Sequence, residues 1–355
     1  MEPEDPEEEM DPATPEPLAR LLDETVSPWL ESRPDGLYSP ALDAFVDPAQ
    51  PVARAILTHA HADHAASGHG EIWSTKETAA VYRRRNPDWN GRTREFAYGE
   101  GPSADGHALR FVSAGHVLGS AQLLFTGGGG SLLYTGDFKR RAGRTARPVE
   151  TPAADVLMTE TTFGLPVFHF PPREQIESRL VAACREATAR ETVPVVLAYA
   201  FGKAQEAALI LTEAGIPTVL HGAAWKLLPE FEAAGFRYPT SRAYEDGPPA
   251  VGEALIAPPR CARTPMVRNV KRRRIVYCSG WAVREASRAD YDAEVLIPFS
   301  DHADFPELVE HVAQVGARRV ITMHGYAHDF ARILRGRGVE AFPMPAAGER
   351  RLEEP

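Results

Sequence analysis

The chain has 355 residues, 43% hydrophobic and 25% charged, which is typical of an ordinary globular protein of two domains. No stretch approaches the roughly 18 apolar residues of a membrane span, and the acidic start MEPEDPEEEM is unlike a secretory signal, so we expect a cytoplasmic protein without a membrane contact. Three widely spaced cysteines without a CxxC pair argue against a disulfide framework and a zinc ribbon. Any metal ion is therefore expected to be bound by His and carboxylate side chains.

Residues 1–17 carry most of the net charge of −10. They contain eight acidic residues, five prolines and no basic residue, which leaves a net charge of −2 for the rest of the chain. Because such a segment cannot pack a core, we predict an acidic tail and N-terminal extension over residues 1–33 that is at least partly disordered. A solvating tail is the simpler interpretation, and an autoinhibitory or partner-binding arm is the alternative.

Strand-like runs dominate from about residue 36 to residue 160. Four glycines at 127–130 separate two of these runs and predict a hairpin loop. The runs are AILT at 55–58, LRFVS at 109–113, AQLLFT at 121–126, SLLYTGD at 131–137 and DVLMTE at 155–160.

From about residue 171 the pattern alternates between helices and strands, which indicates βαβ units and a parallel sheet. The predicted helices lie at 173–190, 203–214, 223–234, 305–316 and 326–337. The predicted strands between and after them are VPVVLAYA, IPTVLHG, RIVYCSG, AEVLIPFSDH, RRVITMHG and a final short strand.

The stretch LTHAHADH at residues 57–64 directly follows an apolar strand. Because side chains alternate along a strand, His59 and His61 can leave its end facing one point, while the following turn directs Asp63 and His64 toward a neighbouring point. Imidazole and carboxylate groups at this spacing match divalent-metal chemistry. One stretch can therefore serve two metal ions.

This HxHxDH motif resembles that of the metallo-β-lactamase superfamily, an αββα sandwich with a metal site along the sheet edge. SAGHVLGS offers His116 as the histidine of the third motif, and LLYTGDF offers Asp137 as the carboxylate that bridges both ions. AFVDP offers Asp47 as an aspartate that supports the ligands without binding the ions, and Asp43 is the alternative. The cysteine and glycine common around that first motif are absent, which leaves this choice open.

Three later segments resemble motifs A, B and C of the β-CASP nucleases, the nucleic-acid-cutting branch of the superfamily. They are LMTETTFG with Glu160, PFSDHADF with His302 and ITMHGYAHD with His324. The resemblance implies an α/β fold class, a metallo-β-lactamase αββα sandwich with an inserted β-CASP α/β domain. The predicted sandwich comprises residues 34–168 and 296–355, and the predicted insert comprises residues 169–295.

The resemblance also implies a binuclear centre that hydrolyses phosphodiester bonds with a metal-bound hydroxide as nucleophile. It assigns His59, His61 and His116 to one ion, Asp63, His64 and His324 to the other, and Asp137 to both. Two zinc ions suit these ligands best, and manganese is possible. Asp63, Glu160 and His302 are the predicted catalytic residues, with His302 as general acid and Glu160 as the group that raises the pKa of its imidazole.

Four further residues follow strands at positions that could face a phosphate. AFGKAQE places Lys203 at a helix N-terminus, YCSGW places Ser279 and Gly280 at a strand end, and Lys139 begins a basic run after the Asp137 strand. A plain βα turn with a surface lysine is the alternative for Lys203.

Segments such as LTHAHADHA, TGDFKR, AFGKAQE and SGW resemble the bacterial ligase-associated DNA exonucleases, a group similar to mRNA 3′-end-processing factors. This resemblance covers about residues 36–345 and implies 5′-to-3′ trimming of DNA in repair, alongside a DNA ligase and a helicase. His324 in motif C, as in the RNA-cleaving members, permits an RNA endo- or exonuclease instead. A catalytically silent nucleic-acid-binding scaffold is the third hypothesis, and the full ligand set argues against it.

Overall fold

The computed structural model describes residue 26 and residues 29–344. Most of the acidic segment predicted to be disordered lies outside the described residues, but its last three residues form a strand, Glu31–Arg33. Within the described part of the chain, no helix is both long enough and apolar enough to span a membrane. The cytoplasmic location stays a prediction.

The described residues form three sheets. The first sheet contains, in spatial order, β1 (Glu31–Arg33), β2 (Gly36–Ser39), β3 (Ala44–Val46), β4 (Arg54–Ile56), β5 (Glu71–Thr75) and β6 (Arg92–Phe96). The second contains β7 (Ser103–Ala104), β8 (His107–Ser113), β9 (Ala121–Gly127), β10 (Gly130–Tyr134), β11 (Val156–Glu160), β18 (Arg319–Met323) and β19 (Glu340–Pro343). Their spatial order is β19-β18-β11-β10-β9-β8-β7.

The first two sheets share one apolar core, to which Ile56 of the first sheet and Phe111 of the second contribute fully buried side chains. Helix α1 (Lys76–Arg85) covers the other face of the first sheet. Helices α8 (Phe305–Val315) and α9 (Ala327–Gly336) cover the other face of the second sheet. This layering confirms the predicted αββα sandwich.

The third sheet is inserted into the sandwich, because the chain forms it after β11 and returns to the second sheet at β18. All its strand pairs are parallel, as the alternating pattern predicted. In spatial order it contains β14 (Ser241–Ala243), β13 (Thr218–Leu220), β15 (Ala254–Ala257), β12 (Val193–Leu197), β16 (Arg273–Cys278) and β17 (Val295–Ile297). The predicted domain boundaries at 168/169 and 295/296 stay a proposal.

Short and long helices accompany this inserted sheet. They are α2 (Arg173–Ala189), α3 (Lys203–Glu213), α4 (Gly222–Trp225), α5 (Leu228–Ala233), α6 (Pro265–Arg268) and α7 (Ser287–Asp290). Three 3₁₀ helices lie at Tyr244–Asp246, Pro259–Cys261 and Gly280–Val283.

Two local features differ in how well the sequence predicted them. The glycine hairpin is confirmed, since Gly127 pairs with Gly130, and Gly128 and Gly129 have φ values of +61° and +83°, as a tight two-residue turn requires.

The predicted helix 223–234 is wrong as a single helix. The structure has α4 and α5 instead, because Pro229 has no amide hydrogen to continue the helical hydrogen bonds from α4.

Asp304 connects the start of α8 to the rest of the sandwich. Its carboxylate accepts hydrogen bonds from the amides of Glu307 (3.1 Å) and Phe170 (2.8 Å) and pairs with Arg141 (2.9 Å). We expect Asp304→Ala to lower the free energy of unfolding by about 3 kcal/mol, because it removes a helix cap, the hydrogen bond to Phe170 and the nearer of the two carboxylates that pair with Arg141. Urea unfolding followed by circular dichroism measures the loss. Glu310→Ala on the same helix should change stability by less than about 0.5 kcal/mol, and equal losses would contradict the interpretation.

Candidate metal centre

Four of the predicted ligands form a compact buried group, which we call the inner cluster: His59, His61, His116 and Asp137. One ligand atom from each lies within 4.8 Å of the other three. The Nε2 atoms of His59 and His116 lie 3.5 Å and 3.7 Å from Asp137 Oδ2. The loops that carry these residues follow β4, β8 and β10, so both sheets of the sandwich contribute.

The inner-cluster imidazoles are neutral and available as ligands. Burial lowers the pKa of His61 to about 4 and holds the pKa values of His59 and His116 well below their usual range. His116 Nε2 lies 3.0 Å from His61 Nδ1, and the buried His59 Nε2 has no hydrogen-bond partner among the described residues. Ring nitrogens that converge in this way fit a shared divalent cation.

Backbone oxygens fix the orientation of two of these rings. His61 Nε2 donates to the carbonyl of Phe201 (3.3 Å), and His116 Nδ1 donates to the carbonyl of Asp301 (2.8 Å). Since a carbonyl can only accept, the imidazole proton lies on that nitrogen, and the opposite nitrogen presents its lone pair to the cluster. Metal-binding histidines are typically held in this way.

The other three predicted ligands, Asp63, His64 and His324, form a looser arrangement, which we call the outer group. His64 Nε2 lies 3.5 Å from Asp137 Oδ1 and 3.9 Å from Asp63 Oδ2. The ring centroid of His324 lies 5.9 Å from that of His64. Asp63 and His324 are exposed. Asp137 therefore faces the inner cluster with one oxygen and the outer group with the other, and the outer group opens to solvent.

The geometry favours Asp47 over Asp43 as the supporting aspartate. Asp47 Oδ2 accepts hydrogen bonds from His64 Nδ1 (3.0 Å) and from the Thr58 hydroxyl (2.6 Å). The Thr58 oxygen in turn lies 3.0 Å from His59 Nδ1, so Asp47 supports one histidine of each group. Asp43 has an exposed side chain that bonds to Tyr38 and Arg54 instead.

Glu160 and His302 form a hydrogen-bonded pair beside the inner cluster. His302 Nδ1 lies 2.9 Å and 3.1 Å from the two carboxylate oxygens of Glu160, which also accept from the amides of Phe138 and Thr162. Burial opposes the charge on His302, but the carboxylates of Glu160, Asp137 and Asp301 together outweigh it and raise the pKa of His302 to about 9. The ring centroid of His302 lies 4.8 Å from that of His116. A cationic imidazole therefore stands next to the candidate ligands.

Comparison with known proteins gives consistent relatives, although no protein-family model matches the chain. The chain is 39% identical to a probable DNA ligase from Opitutus terrae over 319 residues, which cover 89% of this chain and 31% of that protein. It is 29% identical to cleavage and polyadenylation specificity factor subunit 3 from Dictyostelium discoideum, over 50% of this chain and 27% of that protein. It is also 29% identical to an RNase J-like protein from Methanocaldococcus jannaschii, over 44% of this chain and 42% of that protein.

The chain thus spans less than half the length of each of these three relatives. A crystal structure of a protein of unknown function from Enterococcus faecalis V583 has a similar fold, with a TM-score of 0.61 at 16% identity over 83% of this chain and 80% of that chain. The sandwich, the inserted sheet and these relatives agree. The chain therefore has the fold of a metallo-β-lactamase αββα sandwich with an inserted β-CASP domain, and it is similar to the β-CASP nucleases.

Both lysines predicted to contact phosphate are buried. Lys203 Nζ lies 3.1 Å from Asp301 Oδ2, and Lys139 Nζ lies 3.7 Å from Glu206 Oε2. All four side chains are at most 4% exposed. The structure therefore gives these lysines buried ion pairs instead of the exposed ammonium group that a phosphate contact requires.

Ser279 and Gly280 lie at the carboxyl end of β16, as predicted. The Ser279 hydroxyl accepts a hydrogen bond from the amide of Trp281 (3.3 Å), and a side chain at Gly280 would collide with the ring of Phe163. Gly280 is thus explained by close packing against Phe163. A phosphate contact for these two residues stays a prediction.

Sequence reasoning missed three residues that orient the rings. Thr58 stands next to His59 in the motif, so its role as a relay from Asp47 could have been inferred from the sequence. Phe201 and Asp301 act through main-chain carbonyls, and no residue type signals which carbonyl meets a ring.

We expect Glu160→Gln to lower the pKa of His302 sharply in the metal-free protein. The wild-type imidazole should titrate near pH 9. In the variant only the carboxylates of Asp137 and Asp301 still oppose the effect of burial, so the pKa should fall clearly below the wild-type value. Nuclear magnetic resonance of the imidazole protons over pH 4 to 10 measures both values. An unchanged pKa in the variant would contradict the assigned pairing.

Proposed function

We propose that this protein is a metal-dependent nuclease of the β-CASP type that hydrolyses phosphodiester bonds. The observation that carries the proposal is the inner cluster, with its oriented imidazoles, beside the Glu160–His302 pair. Two divalent ions bound there would polarise the phosphoryl group and provide a nucleophile from water at neutral pH. Zinc fits these nitrogen and oxygen ligands best, and manganese is the alternative.

The residues of the chain would divide the work as follows. The inner cluster would hold one ion, and the outer group would hold the other, with Asp137 shared between them. Asp47 would keep His59 and His64 in their ligating orientation. His302, kept cationic by Glu160, would donate a proton to the departing sugar oxygen. The phosphodiester would enter at the exposed side, where Asp63 lies.

Within this class, we propose a 5′-to-3′ DNA exonuclease that acts in the cytoplasm in DNA repair, with a DNA ligase and a helicase as functional partners. The support is the relative named as a probable DNA ligase, which aligns with 89% of this chain. The RNase J-like relative aligns with 44%. That relative and the polyadenylation factor support the second candidate, an RNA endo- or exonuclease. A silent scaffold fits least, because it needs no oriented ligands.

A nuclease assay with labelled substrates separates the candidates. DNA and RNA of the same sequence, labelled at the 5′ end, are incubated with the protein and either zinc or manganese. We expect mononucleotides released from the 5′ end of DNA and much slower attack on RNA. Equal or faster attack on RNA would overturn the DNA proposal. Cleavage of neither substrate with either metal would favour the scaffold.

A further inference from the structure

We propose that the inserted domain helps to form the metal centre, because its loop between β12 and α3 positions two inner-cluster ligands. Lys203, at the end of this loop, acts as a positioning residue and not as a phosphate contact. The inference rests on the proposed metal centre. It adds that contacts from the inserted domain determine how tightly the inner cluster holds its ion.

The first contact of the loop is with His61. The carbonyl of Phe201 accepts the proton of His61 Nε2 at 3.3 Å. The buried Phe201 ring also packs edge-on against the imidazole, with 5.1 Å between centroids and 72° between planes. The main chain and the side chain of Phe201 therefore both hold His61, so that the Nδ1 atom of His61 points toward the cluster.

The second contact reaches His116 through Asp301. Lys203 Nζ lies 3.1 Å from Asp301 Oδ2, and both side chains are at most 4% exposed. The carbonyl of the same Asp301 accepts the proton of His116 Nδ1 at 2.8 Å. A buried carboxylate is stable only beside a cation, so the ammonium group keeps Asp301, and with it the carbonyl, in place.

A neighbouring lysine, Lys139, also stabilises the charge of Asp301, but without direct contact with its carboxylate. Lys139 Nζ contacts the carbonyl of Ser300 (3.3 Å) and the carboxylate of Glu206 (3.7 Å). Lys203 is therefore the lysine in direct contact with the Asp301 carboxylate. Its position as the first residue of α3 connects the inserted domain to the loop that precedes α8.

Gly202 allows the loop to lie this close to the sandwich. Its φ of +87° is unfavourable for other residues, and an added Cβ would collide with the side chain of Val117, the residue after His116. The backbone of the insert thus packs directly against the loop that carries a ligand. A displacement of the insert would disturb His61 and His116 together.

Zinc retention in Lys203→Met tests the inference. Full-length proteins are purified without chelators, zinc per chain is measured by atomic emission, and zinc release is followed during titration with a chelating dye. In Lys203→Met we expect one zinc to leave at about 10-fold or more lower chelator concentration and the other to leave as in the wild type. Lys203→Arg, which keeps the cation, should hold zinc more tightly than Lys203→Met.

Arg242→Met is the matched control, since it removes another ion pair of the insert, with Glu253 at 2.7 Å, and should release zinc like the wild type. Thermal unfolding of the zinc-free proteins detects general damage to the fold. Wild-type protein that binds no zinc or manganese would refute the proposed metal centre itself. Wild type with two ions, together with Lys203→Met that retains both equally tightly, would overturn only the present inference.

Should Lys203→Met fail to fold, Gly202→Ala tests the same contact from the backbone. We expect it to lose the inner-cluster zinc first, because the added methyl group pushes the loop away from Val117. Full retention of both ions at wild-type affinity would then overturn the inference.

Discussion

Asp137→Ala is expected to lower the rate of DNA cleavage by about 10³-fold or more, because charge stabilisation by bound metal contributes several kcal/mol to such reactions. The Asp137 carboxylate faces both parts of the site. Asp137 Oδ2 lies 3.5 Å from His59 Nε2, and Oδ1 lies 3.5 Å from His64 Nε2. Its loss removes a ligand from both ions at once. Single-turnover cleavage of 5′-labelled DNA at saturating metal measures the rate.

The matched control for this substitution is Asp88→Ala, which removes an exposed aspartate remote in sequence from every predicted ligand motif. It should leave the rate unchanged, and zinc content should fall only in Asp137→Ala. A variant at Asp137 that cleaves DNA within a few-fold of the wild type would refute the bridging role.

His302→Ala is expected to lower the rate of DNA cleavage by about 10² to 10⁴-fold, as the loss of a general acid does. The same substitution should have a much smaller effect on hydrolysis of bis(4-nitrophenyl) phosphate, because 4-nitrophenolate departs without a proton. Measuring both substrates with one protein preparation separates proton donation from metal binding. Zinc content should stay at the wild-type level.

His169→Ala, which removes an exposed imidazole on the loop before α2, serves as the control for His302→Ala and should cleave both substrates like the wild type. Equal losses on both substrates in His302→Ala would show that His302 supports the ligands and does not protonate the leaving group.

Periodicity predicted the layers of this fold but not every element. The apolar strands of the sandwich and the alternating pattern of the insert were recognisable, because burial imposes a period on the sequence. Helix α1 was missed, since its buried residues are small or polar as often as apolar and its last turn is three arginines. Strand β15, ALIA, was also missed.

The candidate ligands could be predicted from the sequence, but several of the residues that orient them could not. His59 was identifiable as a candidate ligand because the HxHxDH motif follows a strand, and His116 and Asp137 followed from the resemblance to the metallo-β-lactamase superfamily. The role of Lys203 was not identifiable, because a lysine that binds a phosphate and one that pairs with Asp301, 98 positions later, look the same in the sequence. Only the three-dimensional contacts distinguish the two.

Anomalous X-ray diffraction from crystals grown with zinc tests the central claim most directly. Data collected on both sides of the zinc absorption edge should show two peaks, one within the inner cluster and one within the outer group, with the Asp137 carboxylate between them. A crystal with no peak at the inner cluster, or with His116 turned away from it, would contradict the account.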